Sequence, residues 1–122
     1  MVEQLQLFAK SERFDAWKDF HAKNPYVFTK FQEFANTAQQ EGCTKLGARF
    51  LGERIRWHVW FETVGGNGFK INDHFWPYYA RLLVAIDPSF DGFFTFKDAR
   101  FDTTRHSILN FHRSLPESPE DA

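Results

Sequence analysis

The sequence predicts a mainly α, compact domain of four to five helices with a small two-stranded β-ribbon, spanning residues 1–113, and an acidic disordered tail at 114–122. Three observations carry this expectation. Apolar residues recur at helical spacing through most of the first 86 positions. Proline or glycine punctuates them at Asn24-Pro25, at the glycines 65, 66 and 68, and at Asp87-Pro88. A cluster of phenylalanines then follows at 90–96, in a pattern that suits a short strand.

The first helix is expected near 12–23, with Ser11 as N-cap and Phe14, Trp17 and His21 at helical spacing. Pro25 suits the first turn of a second helix capped by Asn24, where Val27, Phe31, Phe34, Ala35 and Ala38 form one stripe that stops at Gly42. Thr44 can cap a third helix running to about Thr63. Its apolar residues, Leu46, Phe50, Leu51, Ile55, Trp57, Val59, Trp60 and Phe61, spread around most of the circumference, as in a central helix. Val64 to Gly68 reads as a loop because three glycines favour turns. Asn72 or Asp73 can cap a fourth helix that ends at Ile86, with His74, Tyr78 and Arg81 facing outward. The run Phe93 to Phe96 predicts a strand paired with Phe69 to Ile71. Phe101, Ile108, Leu109 and Phe111 suggest a last short helix.

A length of 122 residues matches one hydrophobic core. Sixteen Phe, four Trp and three Tyr against one Met mean that flat rings fill most of it, each burying on the order of 150 to 250 Å². Phe14, Trp17, Phe31, Phe34, Phe50, Phe75 and Tyr79 are the expected core rings. Tyr26, Phe28, Trp60, Trp76 and Tyr78 are left as a surplus, which marks a protein interface or a base-stacking platform. Homodimerisation is the simplest use of such rings, and burial under the C-terminal segment is the competing explanation.

A net charge of −1 announces no bulk attraction for nucleic acid or an anionic membrane. The charge is uneven, however: residues 1–42 carry −1, residues 43–113 carry +3 and residues 114–122 carry −3. One cysteine, Cys43, excludes an intramolecular disulfide, and no apolar run is long enough for a membrane span, so a cytoplasmic setting is expected.

No residue set has both the types and the spacing that a reaction requires, so no enzyme and no cofactor are expected. His58, His74, His106 and His112 lack the paired spacing of a zinc site. Cys43 has no identifiable catalytic partner, and the glycines at 65, 66 and 68 lack the Lys-Ser/Thr of a phosphate-binding loop. The more specific signal is basic. Arg49, Arg54 and Arg56 on the third helix, then Lys70, Asn72, His74, Tyr78 and Arg81, and finally Lys97 and Arg100, have the chemistry that holds phosphates and reads base edges. Pairing of Glu53 with Arg56 or Arg49 on a solvated helix edge is the competing explanation.

The segments Gly47-Ala48-Arg49, Glu53 to Trp57, Phe69 to Asp73, Tyr78 to Leu83 and Gly92-Phe93-Phe94, with Asn24 to Val27 upstream, resemble a family of small, largely uncharacterised proteins carried by bacteriophages and prophages. The resemblance covers roughly residues 14–96. It implies a phage origin, a host-cell cytoplasmic setting and a winged-helix or helix-turn-helix relative. It departs at Asp73, where the pattern suggests a second Asn; a carboxylate there would repel phosphate. Two functions follow as expectations. One is a phage DNA-binding protein, regulatory or replication-associated, with Arg54, Arg56, Lys70, Asn72, Tyr78 and Arg81 toward the duplex. The other is an interaction protein that inhibits a host protein such as a CRISPR or other defence nuclease, as anti-CRISPR proteins do.

Overall fold

Five α-helices form the fold of the computed structural model, which describes residues 2–62, 71–96 and 104–116, with side chains at 12–58, 71–96 and 106–116. Helix α1 spans Val2–Lys23, longer than the 12–23 expected. Glu3 to Lys10 contains good helix formers and no Gly or Pro, so Ser11 is passed rather than used as a cap. The helix stops where proline requires it. Pro25 disfavours helical backbone at Asn24, whose side-chain amide donates to the Phe20 carbonyl at 3.1 Å. Asn24 therefore closes α1 and makes no side-chain cap on the next helix, contrary to the sequence expectation.

Helix α2, Pro25–Gln40, buries Val27, Phe28, Phe31 and Ala35 along one stripe. Gly42, at φ +95°, ends it: the N–H groups of Gly42 and Cys43 turn back to the carbonyls of Gln39 and Ala38. Helix α3, Ala48–Glu62, begins four residues after Thr44, because Leu46 donates its backbone N–H to the Phe93 carbonyl at 2.9 Å. That bond ties the irregular 43–47 segment to the phenylalanine-rich turn.

The next helix is started by Asn72, whose side-chain oxygen accepts the His74 N–H at 2.9 Å and caps a 3-10 turn at Asp73–Phe75. Helix α4, Trp76–Ile86, follows with Pro77 in its first turn. Trp76 and every residue from Tyr79 to Val84 are buried. A helix apolar all round must be covered all round. Accordingly α4 is packed by α2, α3 and α5, and by the α1 rings Phe14 and Trp17 through Tyr78 and Tyr79. Helix α5, Thr104–Ser114, buries Ile108. Among the described residues no helix is long and apolar enough to cross a membrane.

The expected β-ribbon is not found: among the described residues there is no strand. Pro88–Phe90 is a 3-10 turn capped by Asp87, Gly92 takes φ +81°, and the Phe93 N–H donates to the Phe90 carbonyl at 2.9 Å. The reason is packing. A strand would send successive rings to opposite faces, whereas this turn buries Phe90, Phe93 and Phe94 together with ring centroids 5.0 to 6.4 Å apart. Phe69 and Lys70 of the expected partner strand lie outside the described residues, as do residues 117–122 of the expected tail.

Candidate functional site

Much of the predicted basic set is spent inside the fold. Arg56 donates from Nη1 to Glu53 at 2.8 Å and from Nη2 to the Ile71 carbonyl at 2.7 Å and to Asp73 at 2.5 Å. Arg49, three-quarters exposed, reaches the other Asp73 oxygen at 3.5 Å. Asp73 thus joins the start of the 3-10 turn to α3. The Arg56 hydrogen bond, with the charges of Arg56 and Arg49, holds its carboxyl below the usual carboxylate range. The same hydrogen bond raises the Arg56 guanidinium above its ordinary value.

The outward orientation expected on α4 is not found. Arg81 is buried, with Nη1 3.4 Å from the Pro77 carbonyl and the guanidinium 4.7 Å from the Phe96 ring centre. Carbonyl and aromatic contacts there replace water. Tyr78 is half-buried in a ring stack, 5.7 Å from Phe14 and 5.6 Å from Trp17, and burial raises its hydroxyl pKa. Asn72 uses its side-chain oxygen as a cap, while His74 and Arg54 are exposed. Lys70, Lys97, Arg100 and the side chain of Trp60 lie outside the described residues. Of the predicted set, the structure therefore gathers Arg49, Arg56 and Asn72 around Asp73 and leaves Arg54 on the outer flank of α3.

The surplus-ring set is corrected as well. Phe28 and Trp76 are 5% and 0% exposed, and Trp76 lies flat against Gly52 of α3, where a Cβ would collide with its indole. Tyr26 does face outward, at 44%. The rings that sequence reasoning missed are on α3: Phe50, expected in the core, is 63% exposed, and Trp57 is 65% exposed. Leu51, Gly52 and Ile55 form the buried face instead. Seven residues apart, Phe50 and Trp57 stand within about 20° of each other and about 10 Å apart along the axis. Glu53 and Arg54 lie midway between them, each turned about 50° to its own side. Arg49 and Arg56 share the flank of Glu53. The seven-residue spacing was available in the sequence; the glycine at 52, which marks the face of closest helix approach, was the signal for which way it points.

A second cluster is wholly interior. His21, 1% exposed, stacks on Trp17 at 5.0 Å, meets Tyr79 and Phe28 edge-on, and shares a 2.9 Å hydrogen bond between its Nε2 and Nδ1 of His112 on α5. Burial, then the neighbouring His112, lowers its pKa to about 4. Burial and Arg113 lower that of His112.

Among the described residues no group of three His, Cys, Asp or Glu side chains is gathered to hold a metal ion. Cys43 is half-buried, and its thiol donates to the Lys45 carbonyl. A shallow hollow of about 290 Å³ beside it, lined by Gln39, Thr44, Ser89, Asp91 and Phe93, is bridged by a hydrogen bond from Gln39 to the Ser89 carbonyl. No family model, curated protein or solved structure matches the chain.

Proposed function

We propose that the chain is a protein-interaction domain that docks through the outer face of α3. The observation that carries this is the pair Phe50 and Trp57, each nearly two-thirds exposed on one line of one helix. Large rings beside arginine are the residues that dominate protein interfaces, because they exclude water over a wide area while a guanidinium still finds a polar partner. The rim carries both signs, Arg49, Arg54 and Arg56 against Glu53 and Asp73, which suits a protein surface better than a run of phosphates. A bacterial host protein is the heterologous partner that the phage resemblance implies.

A second reading, nucleic-acid binding, is favoured by one feature: Arg49 and Arg54 are exposed on the helix that carries the two rings, a combination that can stack bases and hold phosphates. Its reach is reduced by the engagement of Arg56 with Asp73 and the burial of Arg81. A photoreactive residue in place of Phe50, with a control at exposed Asn110 on α5, separates the two in cells. Protein adducts from position 50 and not from 110 support docking. Nuclease-sensitive adducts would transfer the face to nucleic acid, and no adduct at all would overturn both.

A further inference from the structure

We infer that α5 is an acid-released clasp: the buried hydrogen bond between His21 of α1 and His112 holds the helix against the body, and protonation of that pair lets it leave while α2, α3 and α4 stay folded. The geometry leaves room for one proton between the two rings. Nε2 of His21 and Nδ1 of His112 lie 2.9 Å apart, with the ring planes inclined by only 21°. In a pair of neutral imidazoles one of these nitrogens donates and the other accepts. An imidazolium donates from both of its nitrogens, so when both rings are charged two N–H groups point at each other and the bond is lost. A single charge keeps the bond but sits on, or against, a ring that is 1% exposed, where desolvation penalises it. The surroundings do not offset that charge. Lys18 from α1, 5.9 Å from the Phe111 ring centre, and Arg113 from α5 are cations; α4 presents the Tyr79 phenol and α2 the uncharged Phe28. Among the described residues neither imidazole has a carboxylate partner.

The packing decides which element yields. Among the described side chains of α5 only Ile108 is wholly buried, with Leu109 and Phe111 partly covered, whereas Trp76 and every residue from Tyr79 to Val84 of α4 are buried. The last turn of α5 is the part that closes over the pair: Phe111 meets Trp17 edge-on at 6.1 Å, and His112 lies against His21 and Phe28. Lifting that turn opens the face of His21 that α5 covers and gives its imidazole water, so the released form takes up the proton first. A ring that titrates at 6.5 in water and at about 4 when covered moves the balance toward release by about 20-fold between pH 7 and pH 5. His112, shifted in the same direction, adds to that factor.

Residue-resolved amide hydrogen exchange of the full chain at pH 7 and pH 5, corrected for the intrinsic exchange rate, tests both parts. The interior amides of α5, 108–112, are expected to be at least about tenfold less protected than those of α2 and α4 at both pH values, because they exchange through an opening that leaves the rest folded. Their protection should fall by about 20-fold or more from pH 7 to pH 5. His21→Phe keeps a flat ring against Trp17, and His112→Asn, at a half-buried position, puts an uncharged amide where Nδ1 stood; each should cut that fall to below about tenfold, and the double variant to below about twofold. Equal protection in α5, α2 and α4 would mean that the helix leaves only when the whole fold does, and would overturn the clasp. A wild type with no fall between pH 7 and pH 5, or a fall undiminished in His112→Asn and in the double variant, would overturn the assignment to this pair.

Discussion

Acid should weaken this fold chiefly through the buried ring of His21. Its ring is enclosed by Trp17, Phe28, Tyr79, Phe111 and His112, and its pKa is about 4 against an ordinary 6.5. The ionisable groups that face it are the Tyr79 phenol from α4 and His112 from α5, with Arg113 acting through His112; the ring from α2 is the uncharged Phe28. The folded value lies below the unfolded one, so the unfolded chain takes up a proton first. The contribution of His21 is full above pH 6.5, falls as the pH drops from about 6.5 to about 4, and levels off below that, where protonation of Asp73 adds its own loss. A difference of about 2.5 units at 1.36 kcal/mol per unit gives a loss of about 3 kcal/mol across the window. His112, also lowered, acts in the same direction. Urea unfolding followed by tryptophan fluorescence at several values between pH 7 and pH 4 measures it. The control is His21→Phe, which keeps a flat ring in the stack and removes the titration; its stability should change little across the same window beyond the part due to His112. A wild type whose unfolding free energy is level from pH 7 to pH 4.5, or a His21→Phe variant with the full wild-type slope, would refute the reasoning.

Three further outcomes are expected. Gly52→Ala, which would add roughly 1 kcal/mol in an exposed helix, should instead destabilise by about 1 to 3 kcal/mol, because the new methyl meets the Trp76 indole; the urea midpoint reports the sign. Asn72→Ala removes the acceptor for the His74 N–H and should lower stability by about 1 kcal/mol in the same assay. Phe50→Ser should leave the unfolding free energy within about 0.5 kcal/mol of wild type in the same assay, since that ring is 63% exposed and lies outside the core.

The parts of the fold legible in the sequence are those set by local chemistry. Pro25 after Asn24, Gly42 at a left-handed turn, Asn72 before a helix and Asp87-Pro88 after one each dictate backbone within a few residues, and each falls at the boundary it predicts. The direction in which a ring points is decided by distant partners. On α3 the apolar residues cover most of the circumference, and only the approach of Trp76 to Gly52 selects Leu51 and Ile55 as the inner face and turns Phe50 outward. On α4 that same coverage takes Arg81 inside, where charge alone suggested solvent. Phe93 and Phe94 have strand composition, yet Gly92 and the need to bury three rings on one side make a turn. The bond between His21 and His112 joins positions 91 residues apart and leaves no trace in local spacing.

The central place of α4 has a consequence for the order in which the molecule can be made. The helix that the other described elements lean on is fourth of the five described helices, so α1, α2 and α3 leave the ribosome before the surface that buries Trp17, Phe31 and Ile55 exists. During that interval the nascent chain displays rings with nothing to cover them, a species prone to chaperone capture and aggregation. Chains truncated before Trp76 would remain in that state, and folding would begin only once residues 76–86 had emerged.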